Sequence, residues 1–170
     1  MMQKEIDVTA LGELLIDFTE NGVSSQGNAL LEANPGGAPC NVLAMLGKLG
    51  KKTAFIGKVG NDQFGNMLRN TIESVGIDAE GLVIDDKVHT TLAFVHTYPD
   101  GDRDFSFYRN PGADMMLRKE EVSLEKICAS KIFHFGTLSF THAGIRTASQ
   151  YAIQLSLIHI SEPTRPISIS

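Results

Sequence analysis

Two adjacent glycines set between an extended stretch and a helix start constrain this chain more than any other feature. They stand in Asn34-Pro35-Gly36-Gly37-Ala38-Pro39-Cys40-Asn41, which runs directly into Val42-Leu43-Ala44-Met45-Leu46-Gly47-Lys48-Leu49-Gly50. Glycine takes a positive φ freely and lets the backbone come close to another object. Pro39, with a fixed φ and no N–H, suits a first helical turn. Asn41 falls in that turn, where its amide can face whatever the glycines approach. The spacing of Val42, Leu46 and Leu49 predicts an apolar stripe, and Gly50 a C-terminal stop. Free N–H groups and the dipole at a helix N-terminus favour oxygen-rich ligands. By itself the stretch fits either a polar platform for such a ligand or a plain tight turn before a core helix.

Around it the pattern alternates. Residues 6–11 form a first strand ending at Gly12, and 14–18 a second, with Asp17 polar in an apolar run. Residues 21–33 read as a loop and a short strand, and 53–59 as a buried strand. Asn61 or Asp62 caps a helix whose stripe is Phe64, Met67, Leu68, Ile72 and Val75, closed by Gly76. Residues 90–98 and 104–109 alternate around Pro99-Asp100-Gly101-Asp102-Arg103, a hairpin signal. A short helix at 122–129, a buried strand at 131–136 and a helix at 143–154 with Ile145, Ala148 and Ala152 facing inward complete the pattern. Strands alternating with helices imply an α/β fold: a mainly parallel central sheet, joined by βαβ crossovers and flanked by helices.

Several chemistries are excluded. The 170 residues are 42% hydrophobic, enough for one real core, and the net charge of −5 argues against nucleic acid and for a small-molecule partner. Gly57, Gly60 and Gly65 have the wrong spacing for a dinucleotide loop. Asp100, Asp102 and Asp104 start like a calcium loop, but Phe105 stands where that loop needs Gly and Pro111 where it needs Glu. Two distant cysteines give neither a disulfide framework nor a metal site, so two free thiols in the cytoplasm are expected. His134 and His142 have no carboxylate or cysteine at ligand spacing and read as structural. No apolar run approaches a membrane span, and 1–5 lack the apolar stretch of a signal peptide.

Four segments in order then carry a resemblance: Gly12-Glu13-Leu14-Leu15-Ile16-Asp17, the Gly36-Gly37 platform, Ile56-Gly57-Lys58-Val59-Gly60-Asn61-Asp62, and Phe105-Ser106-Phe107-Tyr108-Arg109-Asn110-Pro111-Gly112-Ala113-Asp114. Over residues 5–154 the chain resembles the PfkB carbohydrate kinases, ribokinase-like in fold, and most closely their fructokinase branch. One small departure is Leu43, where the signature usually has Ser, Thr or Ala. The resemblance implies transfer of the ATP γ-phosphoryl group to a hydroxyl of fructose or a similar sugar. It implies sugar contacts from Asp17, Gly36, Gly37 and Asn41, with Phe107 and Arg109 from a small β lid made of residues 14–33 and 90–110. Without it, Asp17 is equally a strand-end residue, Arg109 a solvated charge, and the hairpin an ordinary amphipathic one. ATP and Mg²⁺ are the implied cofactors, and a homodimer through the lid strands the implied assembly. The family's catalytic Asp lies in a C-terminal Gly-Ala-Gly-Asp motif, which does not occur in these 170 residues, and the C-terminal half that carries the Mg²⁺-associated motif is expected to be missing. No catalytic or cofactor-binding residue is therefore assigned, and this chain by itself is expected to be inactive. Ribokinase, nucleoside kinase, 2-keto-3-deoxygluconate kinase and a non-catalytic sugar-binding protein remain open.

Residues 155–170 read differently. Leu155-Ser156-Leu157-Ile158-His159-Ile160-Ser161-Glu162-Pro163-Thr164-Arg165 resembles an in-frame translation of a transposase sequencing adapter, the alternative being a genuine divergent C-terminus. The expectation is a kinase segment over 1–154 followed by a non-native tail.

Overall fold

A computed structural model describes residues 4–98 and 100–159. Its centre is a four-stranded sheet in which β1 (Ile6–Leu11) lies between β4 (Thr53–Gly60) and β8 (Ser130–Phe135), with β5 (Ile77–Asp85) outside β4. All three pairings are parallel. A parallel sheet is stable when both faces are covered, and its central strands then lose the alternation of half-buried strands. β4 shows this: all eight of its residues are buried. On one face α1 (Ala38–Lys48) and α2 (Gln63–Ser74) enclose Val8, Ala10, Leu43, Phe55, Val59, Leu68 and Ile72. On the other, α3 (Leu124–Cys128) and α4 (Ala143–His159) enclose Leu11, Ile56, Leu117, Ile127, Ile145, Ala148 and Ala152. Each large side chain fully buried there contributes roughly 1.5–3 kcal/mol.

A second four-stranded sheet stands apart, ordered β3 (Ala29–Gly36), β2 (Leu15–Val23), β6 (Leu92–Thr97), β7 (Arg103–Tyr108). One of its faces packs on α2 through Phe18, which stacks on Phe94 at 5.1 Å and meets Phe64 edge-on at 5.6 Å. The two lid segments predicted from sequence thus join as one sheet. Residues 21–33 differ from expectation: β2 continues to Val23, Ser24 turns the chain by accepting from the Gln26 and Asn28 amides, and β3 returns.

Other boundaries shift for physical reasons. α1 buries Pro39, Cys40 and Leu43, while Val42 and Leu49 are exposed. Of the predicted stripe only Leu46 packs on the core, and Leu43, the departure from the signature, is completely buried. The stop at Gly50 holds: φ is +75°, the Gly50 amide reaches the Gly47 carbonyl, and the Lys51 amide reaches Leu46. On α2, Leu68 and Ile72 are buried and Phe64 half-buried, whereas Met67 and Val75 are exposed at the stripe's margins. β5 followed a helix without a separate sequence signal. β8, expected to be buried, is an edge strand with Lys131, Ile132 and Phe135 exposed. α4 runs beyond Gln154 because Leu155 extends the spacing of Ile145, Ala148 and Ala152 and packs on the same core. The remaining tail residues, 160–170, lie outside the described residues. No helix among the described residues is long and apolar enough to cross a membrane.

Candidate active site

In an open parallel sheet, ligands gather beyond the carboxyl ends of the strands, where successive connections leave in opposite directions. Here β1 is followed in the sheet by β4 on one side and β8 on the other, so that crevice lies at Gly12-Glu13 and Gly136. The glycine platform packs against the same point. Gly37 is the N-cap of α1 with φ +121°, and a Cβ there would overlap the Glu13 carbonyl. Only glycine fits, which is the physical reason for that residue. The Asn41 amide N–H donates to the Gly37 carbonyl at 3.0 Å, placing Asn41 at the exposed rim of the first turn.

The second sheet faces this crevice with a row of side chains. Asp17 pairs with Asn34 on one side and Ala93 on the other, and Ala93 pairs with Phe107. Residues paired across strands share a face, so Asn34, Asp17, Ala93 and Phe107 form one line. Ala93 is small and fully buried, and Phe107 is 48% exposed. The side chain of Asp17 lies over Gly36, where a Cβ would overlap its carboxylate. Among the described residues its carboxylate accepts no hydrogen bond, and burial pushes its pKa above the usual 3.8. A half-desolvated carboxylate without a donor is an acceptor waiting for hydroxyls.

One step nearer the central sheet, Gly36, Leu15 and Thr91 continue toward Arg109. Arg109 departs from the sequence expectation of an open charge. Its side chain is 8% exposed and forks onto Asp114, Nε donating to Oδ2 at 2.8 Å and Nη2 to the same oxygen at 2.5 Å. Nη1 donates to the Thr141 hydroxyl at 3.1 Å. Two of its five N–H groups are left over.

Asp17 and Phe107 thus share one face of the second sheet beside Gly36 and Gly37, Arg109 stands at the root of that sheet, and Asn41 lies exposed in the first turn of α1. Sequence reasoning missed Glu13, Asn34, Thr91 and Asp114. Glu13 was visible as a carboxylate beside Gly12, but nothing in the sequence tells that it folds under α1. It is 5% exposed, with Oε1 accepting from the Ala38 amide at 3.0 Å. Its Oε2 is buried without a partner among the described residues, and a Cβ on Gly136 would stand 2.8 Å from it. Burial pushes its pKa up, the amides of Glu13 and Ala38 lower it, and Asp114 adds to the rise. The sign follows. An acid raised in the folded state contributes most below its ordinary value of 4.5, and stability falls as pH rises from there through the folded value. Glu13→Gln is therefore expected to flatten the decline in urea midpoint between pH 4 and 8 and to be the more stable protein at pH 8. A decline equally steep in the variant would contradict this.

The described residues contain no group of three or more His, Cys, Asp and Glu placed to hold a metal ion.

Comparison with known proteins agrees with this geometry. The model of the pfkB family of carbohydrate kinases matches residues 5–159. The protein named Probable fructokinase-2 of Arabidopsis thaliana is 45% identical over 152 residues, covering 88% of this chain and 46% of that protein. Fructokinase-2 of Solanum lycopersicum is 43% identical over 152 residues, again 88% and 46%. The crystal structure of fructokinase from Xylella fastidiosa superposes with a TM-score of 0.85 at 30% identity, covering 96% of this chain and 52% of that one. Its form with bound ATP gives 0.84 at the same identity. The chain spans about half the length of the curated relatives it matches. With the parallel sheet, the glycine platform and the family match in agreement, this chain belongs to the pfkB family of carbohydrate kinases.

Proposed function

We propose that this chain forms the sugar-binding part of an ATP-dependent fructokinase-like enzyme, which moves a phosphoryl group from ATP to a sugar hydroxyl. The observation that carries the reading is the line Asn34, Asp17, Ala93, Phe107 facing the Gly36-Gly37 platform, with the Asp17 carboxylate desolvated and without a donor. A carboxylate accepts from two adjacent hydroxyls at once and so fixes a sugar's orientation. Gly36 lets the Asp17 carboxylate lie against the backbone, and Gly37 lets α1 begin against Glu13, which sets that acceptor beside the helix N-terminus. Asn41 offers both a donor and an acceptor at the rim, and the Phe107 ring covers the apolar face. Arg109 keeps two N–H groups beyond those given to Asp114 and Thr141, which supports a role at the root of the same site. The second sheet is then a lid that excludes water from a phosphoryl transfer. The match to a fructokinase crystallised with ATP supports ATP as the donor. The base that takes the hydroxyl proton is not among these residues, so this chain by itself binds sugar without turning it over.

Two further points belong to the reading. β7 is an edge strand with all six residues exposed, which supports pairing of two lids in a homodimer. Two unpaired cysteines support a cytoplasmic setting.

The test is calorimetric. The chain is expected to bind fructose without ATP, and Asp17→Asn to weaken that binding by roughly ten- to a hundredfold, the worth of hydrogen bonds to a charged group. Equal affinity in the variant, or conversion of fructose and ATP to products by this chain, would refute the assignment.

A further inference from the structure

The lid sheet meets the central domain at four chain crossings, and carboxylates of the domain, two of them buried, serve three of these. Glu13 accepts from the Ala38 amide where β3 enters α1. Asp62, the N-cap of α2, takes the Thr90 amide and hydroxyl, both at 2.8 Å, where the chain rises into β6. Asp114 is different, because it joins two crossings. Its Oδ1 accepts from the Thr91 hydroxyl at 2.5 Å at the root of β6, and its Oδ2 takes the Arg109 fork at the root of β7. Asp114 is 3% exposed and Thr91 fully buried, so water does not compete for these bonds. The packing around them has no slack: a Cβ on Gly112 would overlap the Thr91 hydroxyl.

We infer that Asp114 is the positioning residue of the lid: by holding Thr91 and Arg109 on one carboxylate it fixes the angle of the β3-β2-β6-β7 sheet over the crevice, without touching a substrate. Geometry gives the reason. Thr91 and Arg109 lie side by side on the face that also carries Asp17 and Phe107, one row nearer the domain. A movement of one lid strand relative to the other at this root breaks a bond to Asp114, whereas the backbone bonds there, the Ala113 amide to His89 and the Ile16 amide to Thr91, do not tie β6 to β7. The consequence for sugar binding rests on the functional reading above, whereas the clamp itself does not.

The experiment reads geometry without any sugar. Spin labels at Asn28→Cys, on the lid's hairpin, and Gln150→Cys, on the outside of α4, report the lid-to-domain distance in a Cys128→Ser background; Cys40 is buried with its thiol pKa pushed up by burial. Asp114→Asn and the milder Thr91→Val are each expected to broaden the distance distribution at least twofold. In unlabelled protein, amide exchange at Ile16 and Ala113 is expected to rise at least tenfold, with β1 and β4 unchanged. Arg109→Lys, which keeps the charge but loses the fork, should fall between wild type and Asp114→Asn. Unchanged distances in both Asp114→Asn and Thr91→Val overturn the inference. So does a uniform rise in exchange across β1 and β4, which would make Asp114 a residue of general stability. Failure of fructose to bind would defeat the functional reading and leave the distance result standing.

Discussion

Gly37→Ala is expected to destabilise the chain by about 4 kcal/mol, a large part of the roughly 5–15 kcal/mol that holds a domain of this kind together. Two costs add. At φ +121° an L side chain is strained by about 1–3 kcal/mol. The new Cβ also overlaps the Glu13 carbonyl, which is backbone and cannot swing aside. Gly22→Ala separates the two, because Gly22 has φ +78° but open space around it. That variant should lose only about 1 kcal/mol. Urea midpoints of the two variants decide the matter, and equal losses would show that conformation alone demands glycine at position 37. A Gly37→Ala protein that still folds should also bind fructose poorly, since the platform and Glu13 shift together.

Lys58→Ala is the second large effect, at about 2–4 kcal/mol. The Lys58 ammonium is buried at the end of β4, 3.0 Å from Asp85 and from Glu121, and donates to the Met116 carbonyl at 3.2 Å. Removing it strands two nearly buried carboxylates. The loss stays below the extreme because Asp85 keeps the Lys87 and Val88 amides, and Glu121 keeps Arg118. Burial raises the pKa of both acids, but the hydrogen bonds outweigh it and both end below their ordinary values of 3.8 and 4.5. Their contribution is therefore present above those values and fades as pH falls through the lower folded ones. Lys58→Ala should weaken that acid dependence, and Lys58→Ala with Glu121→Gln should cost less than the sum of the two singles by about 1–2 kcal/mol. Strict additivity in the double-mutant cycle would show that the pair contributes nothing.

Part of this protein could be read directly from its residues. β1, β4 and β8, the helix stop at Gly50 and the inward face of α4 follow from local rules: period, caps and the φ that only glycine accepts. The family too was legible, because Gly36-Gly37, Asp17 and Lys58-Val59-Gly60 recur in order and at spacing. What failed were judgements of which side chains a neighbour would cover. Val42 and Leu49 are apolar at helical spacing yet face outward, because the buried side of α1 is set by the direction of β1 and β4 beneath it. Ile132 and Phe135 read as core but lie on an edge strand. The site divides in the same way. Sequence offered Asp17, Gly36, Gly37, Asn41, Phe107 and Arg109 as candidates through the resemblance to a family. The tertiary structure alone put Asp17 in line with Asn34 and Phe107, turned Arg109 onto Asp114, and buried Glu13 under α1. Burial and pairing depend on which residues meet across more than seventy positions of chain, as Glu20 and His96 do, and no local period encodes that meeting.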